Sequence, residues 1–158
     1  MAHVTIEYVI MIPLLISQIF LLPWAASVIM NNWVDSRRTL ALQEAASHLG
    51  SSIQQAYSFL DNEKIGAGNV NKTLDIPIFI EGYAYTATGA VNAQNPKVVE
   101  LTLAFKGIEI SVNAAVTLGQ NAVWQNSAFM SNSTYACLHA EKYSNKTIEL
   151  YFWDEEAD

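Results

Sequence analysis

From Tyr8 to Val34 the chain carries no charged side chain, and no other feature limits its possible folds as strongly. The most apolar part, Val9–Met30, has only Ser17, Gln18 and Ser27 as polar residues. As an α-helix rising ~1.5 Å per residue it would extend roughly 33 Å, close to the ~30 Å hydrocarbon core of a bilayer. It is too long for the apolar region of a signal peptide, which is usually about 7–15 residues. Trp24 and Trp33 lie towards its C-terminal end, and tryptophan is enriched at membrane–water interfaces. The run therefore reads as a membrane-spanning helix rather than a buried helix of a globular core. Pro13 and Pro23 sit inside it. Each removes a backbone donor and crowds the carbonyl four residues earlier, here those of Val9 and Ile19. A kink or a locally melted turn is expected at one or both, which membrane helices tolerate where neighbours satisfy the freed groups.

The helical pattern continues beyond the run but changes character. Over Asp35–Leu60, the residues Leu42, Ala45, Ala46, Leu49, Ile53, Ala56, Tyr57 and Leu60 recur at three- and four-residue spacing, the signature of an amphipathic helix. Arg37, Arg38, Glu44, Gln54 and Gln55 supply the polar face, and Gly50 weakens the pattern only slightly. The expectation is one nearly continuous helix, apolar on all sides at first and along one stripe later, forming an N-terminal unit over residues 1–61.

Residues Asn62–Asn69 form a hinge-like segment punctuated by Gly66, Gly68 and Asn69. The hydrophobic period then moves towards two. Leu74, Ile76, Ile78 and Ile80 alternate, as do Tyr83 and Tyr85, then Val99, Leu101, Leu103 and Phe105, then Ile108, Ile110 and Val112. Tyr135–Ala140 and Ile148–Trp153 close the chain. Turn signals separate these stretches at Glu81-Gly82, Asn92–Pro96, Lys106-Gly107, Gly119–Asn121, Ser131–Ser133 and Ser144-Asn145. Short strands at this spacing indicate a β-sandwich. The fold class is thus α+β, a long hydrophobic N-terminal helix followed by an antiparallel, Ig-like β-sandwich over residues 62–158.

Composition excludes several functions. Hydrophobic residues make up 51% of the 158 and charged residues 15%, against a usual charged share of about 25%. Much of the surface must be shielded from water by a membrane or by other subunits. Residues 1–60 carry two arginines against three carboxylates, a net of −1, while residues 61–158 carry six lysines against twelve carboxylates, a net of −6. An acidic domain without a basic stripe argues against nucleic acid, since phosphate contacts need clustered Lys and Arg. Cys137 is the single cysteine, so no intrachain disulfide exists, and it reads as a buried strand residue.

Glu7-Tyr8 opening an uncharged helix that contains Pro13 and Pro23 resembles the N-terminal helix of type IV pilins. The stretch Glu7-Tyr8-Val9-Ile10-Met11-Ile12-Pro13-Leu14-Leu15-Ile16 is also similar to the start of TadE-like pilus proteins. Farther on, Leu74-Asp75-Ile76-Pro77-Ile78-Phe79-Ile80-Glu81-Gly82-Tyr83-Ala84-Tyr85 resembles the archaeal pilin pattern of an apolar-Pro strand, a Gly turn and a Tyr-bearing strand. The close, Asn145-Lys146-Thr147-Ile148-Glu149-Leu150, fits the same archaeal pilin and archaellin pattern. The resemblance implies a structural subunit of an extracellular filament, membrane-inserted before assembly. Its partners would be other copies of itself, a prepilin peptidase and a pilus assembly platform. It also implies that Glu7 pairs with a neighbour's N-terminal amine on assembly, and that Glu7, Pro13 and Pro23 belong to the assembly helix.

Two departures from the family stand out. No basic residue precedes the apolar run, whereas class III leaders carry Lys or Arg before the cleavage site. Cleavage after Ala2 would make Glu7 the fifth mature residue; a mature start at Met1 would make it the seventh. In addition, Arg37-Arg38 by the positive-inside rule would place that end in the cytoplasm, whereas a pilin sends it outside. On this point the family pattern is followed.

Three N-linked acceptor patterns occur, at Asn71-Lys72-Thr73, Asn132-Ser133-Thr134 and Asn145-Lys146-Thr147. All fall in the domain expected outside the membrane, which marks Asn71, Asn132 and Asn145 as glycosylation candidates. His3 and Glu7 stand four apart, but two ligands do not make a metal site, and His48 and His139 lack companions at ligand spacing. There is no phosphate-binding Gly loop and no nucleophile with an evident base, so neither enzyme nor cofactor is expected. The aromatic residues read as core and interface groups. Two other readings remain open: a minor TadE-like pilus component, and a single-pass membrane-anchored binding domain.

Overall fold

The computed structural model describes the backbone of residues 2–134 and 136–154, and side chains from Val9 onward within that range. One helix, α1 (Ala2–Leu60), precedes eight strands: β1 (Gly68–Thr73), β2 (Tyr85–Val91), β3 (Val98–Phe105), β4 (Ser111–Thr117), β5 (Ala122–Trp124), β6 (Ser127–Met130), β7 (Cys137–Lys142) and β8 (Ile148–Trp153). The chain divides into two compact units, Met1–Arg37 and Arg38–Asp158. The second half of α1 therefore belongs to the same unit as the strands.

Helical geometry is assigned at every position of α1, through Pro13 and Pro23 alike. The locally melted turn expected at a proline does not form. Each proline deletes a single rung of the i→i−4 ladder, and the unbroken helix on both sides holds the remaining rungs in place.

The strands form two four-stranded sheets, ordered β1-β7-β8-β5 and β4-β3-β2-β6. The second is antiparallel throughout. The first is mixed, because β5 runs parallel to β8, with Ala122, Val123 and Trp124 opposite Ile148, Glu149 and Leu150. This corrects the expectation of a wholly antiparallel sandwich. The cause is local: the segment Ala122–Met130 changes sheets at Gln125-Asn126, its first part lying beside β8 and its second beside β2. Sheet-switching segments of this kind close the corner between two sheets.

Alternation sets which face is buried. Along β3, Val99, Leu101, Leu103 and Phe105 point inward, and along β8 Ile148, Leu150 and Phe152 do so. The two inner faces meet through Phe129 of β6 and Phe152 of β8, edge-to-face at 5.0 Å, and through Trp124 of β5, whose Nε1–H donates to the Gly89 carbonyl of β2 at 3.0 Å. Gly89 has no side chain because the Trp124 ring occupies the space: a Cβ there would lie 2.4 Å from it.

Helix residues Leu42, Ala45, Ala46, Leu49, Ile53, Ala56 and Leu60 join the same core, and all are buried. Tyr57, the other member of the expected stripe, is half-buried. The helix lies against β4 on one side, where Gly50 faces Val116, and against β1 on the other, where Lys72 Nζ donates to Gln55 Oε1 at 2.7 Å. It thus packs beside one edge strand of each sheet, which shields edges that would otherwise invite pairing.

The strands differ from those read in the sequence at several places: β4 begins at Ser111, so Ile108 and Ile110 lie in the preceding loop, and β5 and β6 were not anticipated. The alternating stretch Leu74–Ile80 is not a strand but a loop with a single bridge, Ile80↔Tyr83. Leu74 and Ile80 are still buried, but Ile78 is more than half exposed, so the alternation reports burial only at its two ends and without ladder pairing. The polar segment Gly68–Thr73, within and after the expected hinge, forms β1 instead, because β7 offers a free edge in register from Gly68↔Lys142 to Thr73↔Cys137. Strand β8 spans the residues expected of it.

Candidate assembly surface

In the N-terminal unit, α1 presents large apolar side chains on every side. Val9, Ile10, Met11, Leu14, Leu15, Ile19, Phe20, Leu22, Trp24, Ile29 and Met30 are each more than half exposed. A helix of this length and apolarity is sufficient to cross a membrane. Exposed apolar area of this extent is far beyond the few hundred Å² found on ordinary monomers, so lipid or protein must cover it. Its C-terminal boundary is marked by Arg37, whose guanidinium lies 5.0 Å from the Trp33 ring centroid. Such a cation–π contact lets the charge stay wet while the ring covers its stem. Pro13 and Pro23 both lie in the apolar stretch, on the helix itself. The side chain of Glu7 falls outside the described residues, as does that of His3.

In the second unit, Arg38 turns back onto the β1–β2 loop. Its Nε donates to Glu81 Oε2 at 3.2 Å, and its guanidinium lies 5.0 Å from the Tyr83 ring. Glu81 and Gly82 both have positive φ, 50° and 84°, and Ile80 and Tyr83 exchange backbone hydrogen bonds at 3.0 Å across them. That is a two-residue turn with the twist that suits antiparallel partners.

The three acceptor asparagines are all exposed, but in different settings. Asn132 lies in the turn after β6. Asn145 lies in the β7–β8 turn, where its Oδ1 accepts the Thr147 N–H at 3.0 Å. Asn71 projects from β1, and its Oδ1 stands 2.5 Å from Nδ1 of the cross-strand neighbour His139. The His139 ring stacks on Tyr151 at 4.8 Å. Cys137 is half-buried on β7. Among the described residues, no three of His, Cys, Asp and Glu gather as a metal site would require.

A further polar cluster, not anticipated from sequence, joins the end of α1 to the β7–β8 hairpin. Tyr57 Oη donates to Asn121 Oδ1 at 2.6 Å, and Asn121 Nδ2 donates to Asp61 Oδ1 at 2.8 Å and to the Lys146 carbonyl at 3.2 Å. Partial burial, followed by the nearby Asp61 carboxylate, pushes the Tyr57 phenol above its usual range. Lys142 is buried on β7, and its Nζ donates to the carbonyls of Asn62 at 3.0 Å and Ile65 at 2.9 Å. It thereby fixes the segment that leaves the helix. One signal was present in the sequence: the period-two pattern Leu138, Ala140, Lys142 puts a lysine at an inward position.

Comparison with protein-family models, with curated proteins and with solved structures finds no match.

Proposed function

We infer that the chain is a structural subunit of an extracellular, type IV pilus-like filament, assembling through its apolar helix for adhesion or surface attachment. One observation carries this reading: a single helix has two environments. Residues 9–33 expose apolar side chains all round, while Leu42–Leu60 is built into the core of a folded domain. A helix fixed at one end to a polar domain and bare at the other suits storage in a bilayer followed by packing against identical helices. Heterologous contacts that do not close into a ring build a helical filament. Exchanging lipid for neighbouring helices changes apolar exposure little, so packing and charge pairing must favour the assembled state, which is the role assigned to Glu7.

On this reading the Arg38–Asp158 unit is the exterior domain, acidic and glycosylated, with its two sheets arranged as an immunoglobulin-like sandwich. Two four-stranded sheets around one core support that arrangement. A prepilin peptidase and an assembly platform would process and extract the subunit.

The test is to express the full chain and a variant lacking residues 1–37 beside the assembly machinery of a pilus-forming host. Filaments from the full chain alone, with the truncated protein soluble and monomeric, support the reading. Filaments from the truncated protein would overturn it, because the bare helix would then be dispensable.

A further inference from the structure

The segment leaving α1 and the β7–β8 hairpin enclose a cleft of about 300 Å³. That is the lower end of the roughly 300–1,000 Å³ range of small-molecule sites. Its lining brings together polar groups of both signs, Asp61, Glu63, Asn121, Lys142, Ser144 and Lys146, with Ile65, Ala67 and Tyr143.

Several of the polar groups are held in place by hydrogen bonds within the chain. Asn121 is held by Tyr57, Asp61 and the Lys146 carbonyl. Tyr143 is exposed, yet its Oη donates to Glu149 Oε2 at 2.6 Å, which restrains its ring. Lys146 adopts φ of 68°, a backbone state uncommon outside glycine. Most telling is Lys142. An ammonium has three N–H donors, and two are used on the carbonyls of Asn62 and Ile65. It is only 7% exposed, and among the described residues no carboxylate pairs with it. Buried charges are ordinarily paired or fully hydrogen-bonded, and Lys142 keeps one N–H beyond these two carbonyls at the cleft wall.

We propose that this cleft binds a neutral saccharide. A sugar hydroxyl both donates and accepts. One hydroxyl can accept from Lys142 and from the Ser144 hydroxyl while others donate to Asp61 and Glu63, which few single-sign ligands can do. A phosphate or other anion would meet Asp61 and Glu63, and a cation would meet Lys142 and Lys146. The exposed Tyr143 ring in the cleft lining gives the apolar face of a pyranose a surface to stack on. The assignment rests on the chemistry of the cleft and holds whether or not the protein polymerises.

The test uses the full chain in micelles of an ethoxylated fatty alcohol, which has no sugar headgroup. Maltotetraose, cellotetraose, chitotetraose and mannotetraose are titrated separately by calorimetry and by saturation-transfer NMR. At least one binds at millimolar concentration or below. Ser144→Trp, at an exposed turn position, fills the cleft and abolishes that binding. Tyr143→Ala weakens it at least about tenfold, equivalent to about 1.4 kcal/mol. Both variants keep the far-UV circular dichroism of the parent; should Ser144→Trp lose it, Tyr143→Ala alone decides. The proposal is overturned if none of the four sugars binds, or if the decisive variant binds as well as the parent. Binding of inorganic phosphate or of a tetralysine peptide with no sugar bound overturns it too.

Discussion

Arg38 reaches 43 positions along the chain to Glu81, Nε to Oε2 at 3.2 Å, and so anchors a turn whose first central residue sits at positive φ. Glutamate is a poor residue for that conformation; asparagine, aspartate and glycine adopt it more readily. The ion pair contributes at most about 1 kcal/mol because both side chains are partly exposed. The Arg38–Tyr83 cation–π contact adds about 0.5–1 kcal/mol. Arg38→Ala should lower stability in urea by about 1 kcal/mol, and Glu81→Asn in that background should recover part of the loss. No change in the unfolding midpoint on removing Arg38 would show that the turn holds itself.

Gly119 and Tyr57 impose a stricter demand. A Cβ at Gly119 would lie 1.8 Å from Tyr57 Oη and 2.6 Å from Cζ. Gly119→Ala must therefore displace the ring and break its 2.6 Å hydrogen bond to Asn121. Overpacking costs about 1–3 kcal/mol, and loss of the bond about 1 kcal/mol more. Tyr57→Phe should lose only the hydrogen bond. The double variant should be more stable than the sum of the two single losses predicts, because removing the hydroxyl also removes the worst clash. Strict additivity in thermal melts would contradict this contact.

Tyr85 makes stability depend on alkaline pH. Burial pushes its phenol up to about 12, while its Oη donates to the Pro77 carbonyl at 2.8 Å. The folded pKa lies above the unfolded value of 10.0, so the folded chain keeps the proton longer. Its contribution is fully present below pH 10 and is lost as pH rises through the folded value, since over that window the unfolded state binds fewer protons. Tyr85→Phe should flatten the fall in stability between about pH 10 and 12, at a loss near neutrality of about 1 kcal/mol for the missing hydrogen bond. Identical slopes for parent and variant, measured by urea unfolding at a series of pH values, would place the titrating group elsewhere.

The setting of the three acceptor sites predicts an order of modification. Asn132 and Asn145 lie in turns, whereas Asn71 lies within β1, with its Oδ1 beside His139 Nδ1. Peptide mass spectrometry on material from its native source should find glycan on Asn132 or Asn145 at higher occupancy than on Asn71. Dominant occupancy of Asn71 would mean that modification precedes pairing of β1 with β7. Unmodified peptides at all three positions would count against export through a glycosylating route.

What could be read in the sequence followed from how local each signal is. The helix was legible because an uncharged run and a three- and four-residue stripe are both periodic over many turns; Leu42, Leu49, Ile53 and Leu60 are buried as that stripe requires. Strands β3 and β8 were legible through alternation. Strand β1 was not, because its sequence, Gly68–Thr73, is polar and its state is set by the free edge of β7 far along the chain. Leu74–Ile80 failed in the opposite sense: its alternation was real, but Pro77 lacks a ladder donor, and the stretch is a loop buried only at Leu74 and Ile80, with Ile78 and Phe79 exposed. The parallel β5–β8 pair and the Tyr57–Asn121–Asp61 cluster depend on contacts between distant segments, for which no local pattern exists.

The last prediction concerns what holds the proposed assembly together. Burying one Val, Leu, Ile, Phe or Met side chain contributes about 1.5–3 kcal/mol. The run Val9–Met30 exposes more than ten such side chains, so a subunit leaving a filament for water would lose far more than surface ion pairs supply at roughly 0–1 kcal/mol each. The domains over residues 61–158 carry a net −6 each, and their mutual repulsion is screened by salt beyond about 3 Å at molar ionic strength. High salt should therefore leave filaments intact or lengthen them. Detergent, which can replace the helix contacts, should disperse them to subunits. Filament length measured by electron microscopy in molar sodium chloride and in a nonionic detergent separates the two forces. Dissolution by salt with detergent harmless would show that charge, and not the apolar helix, holds the assembly.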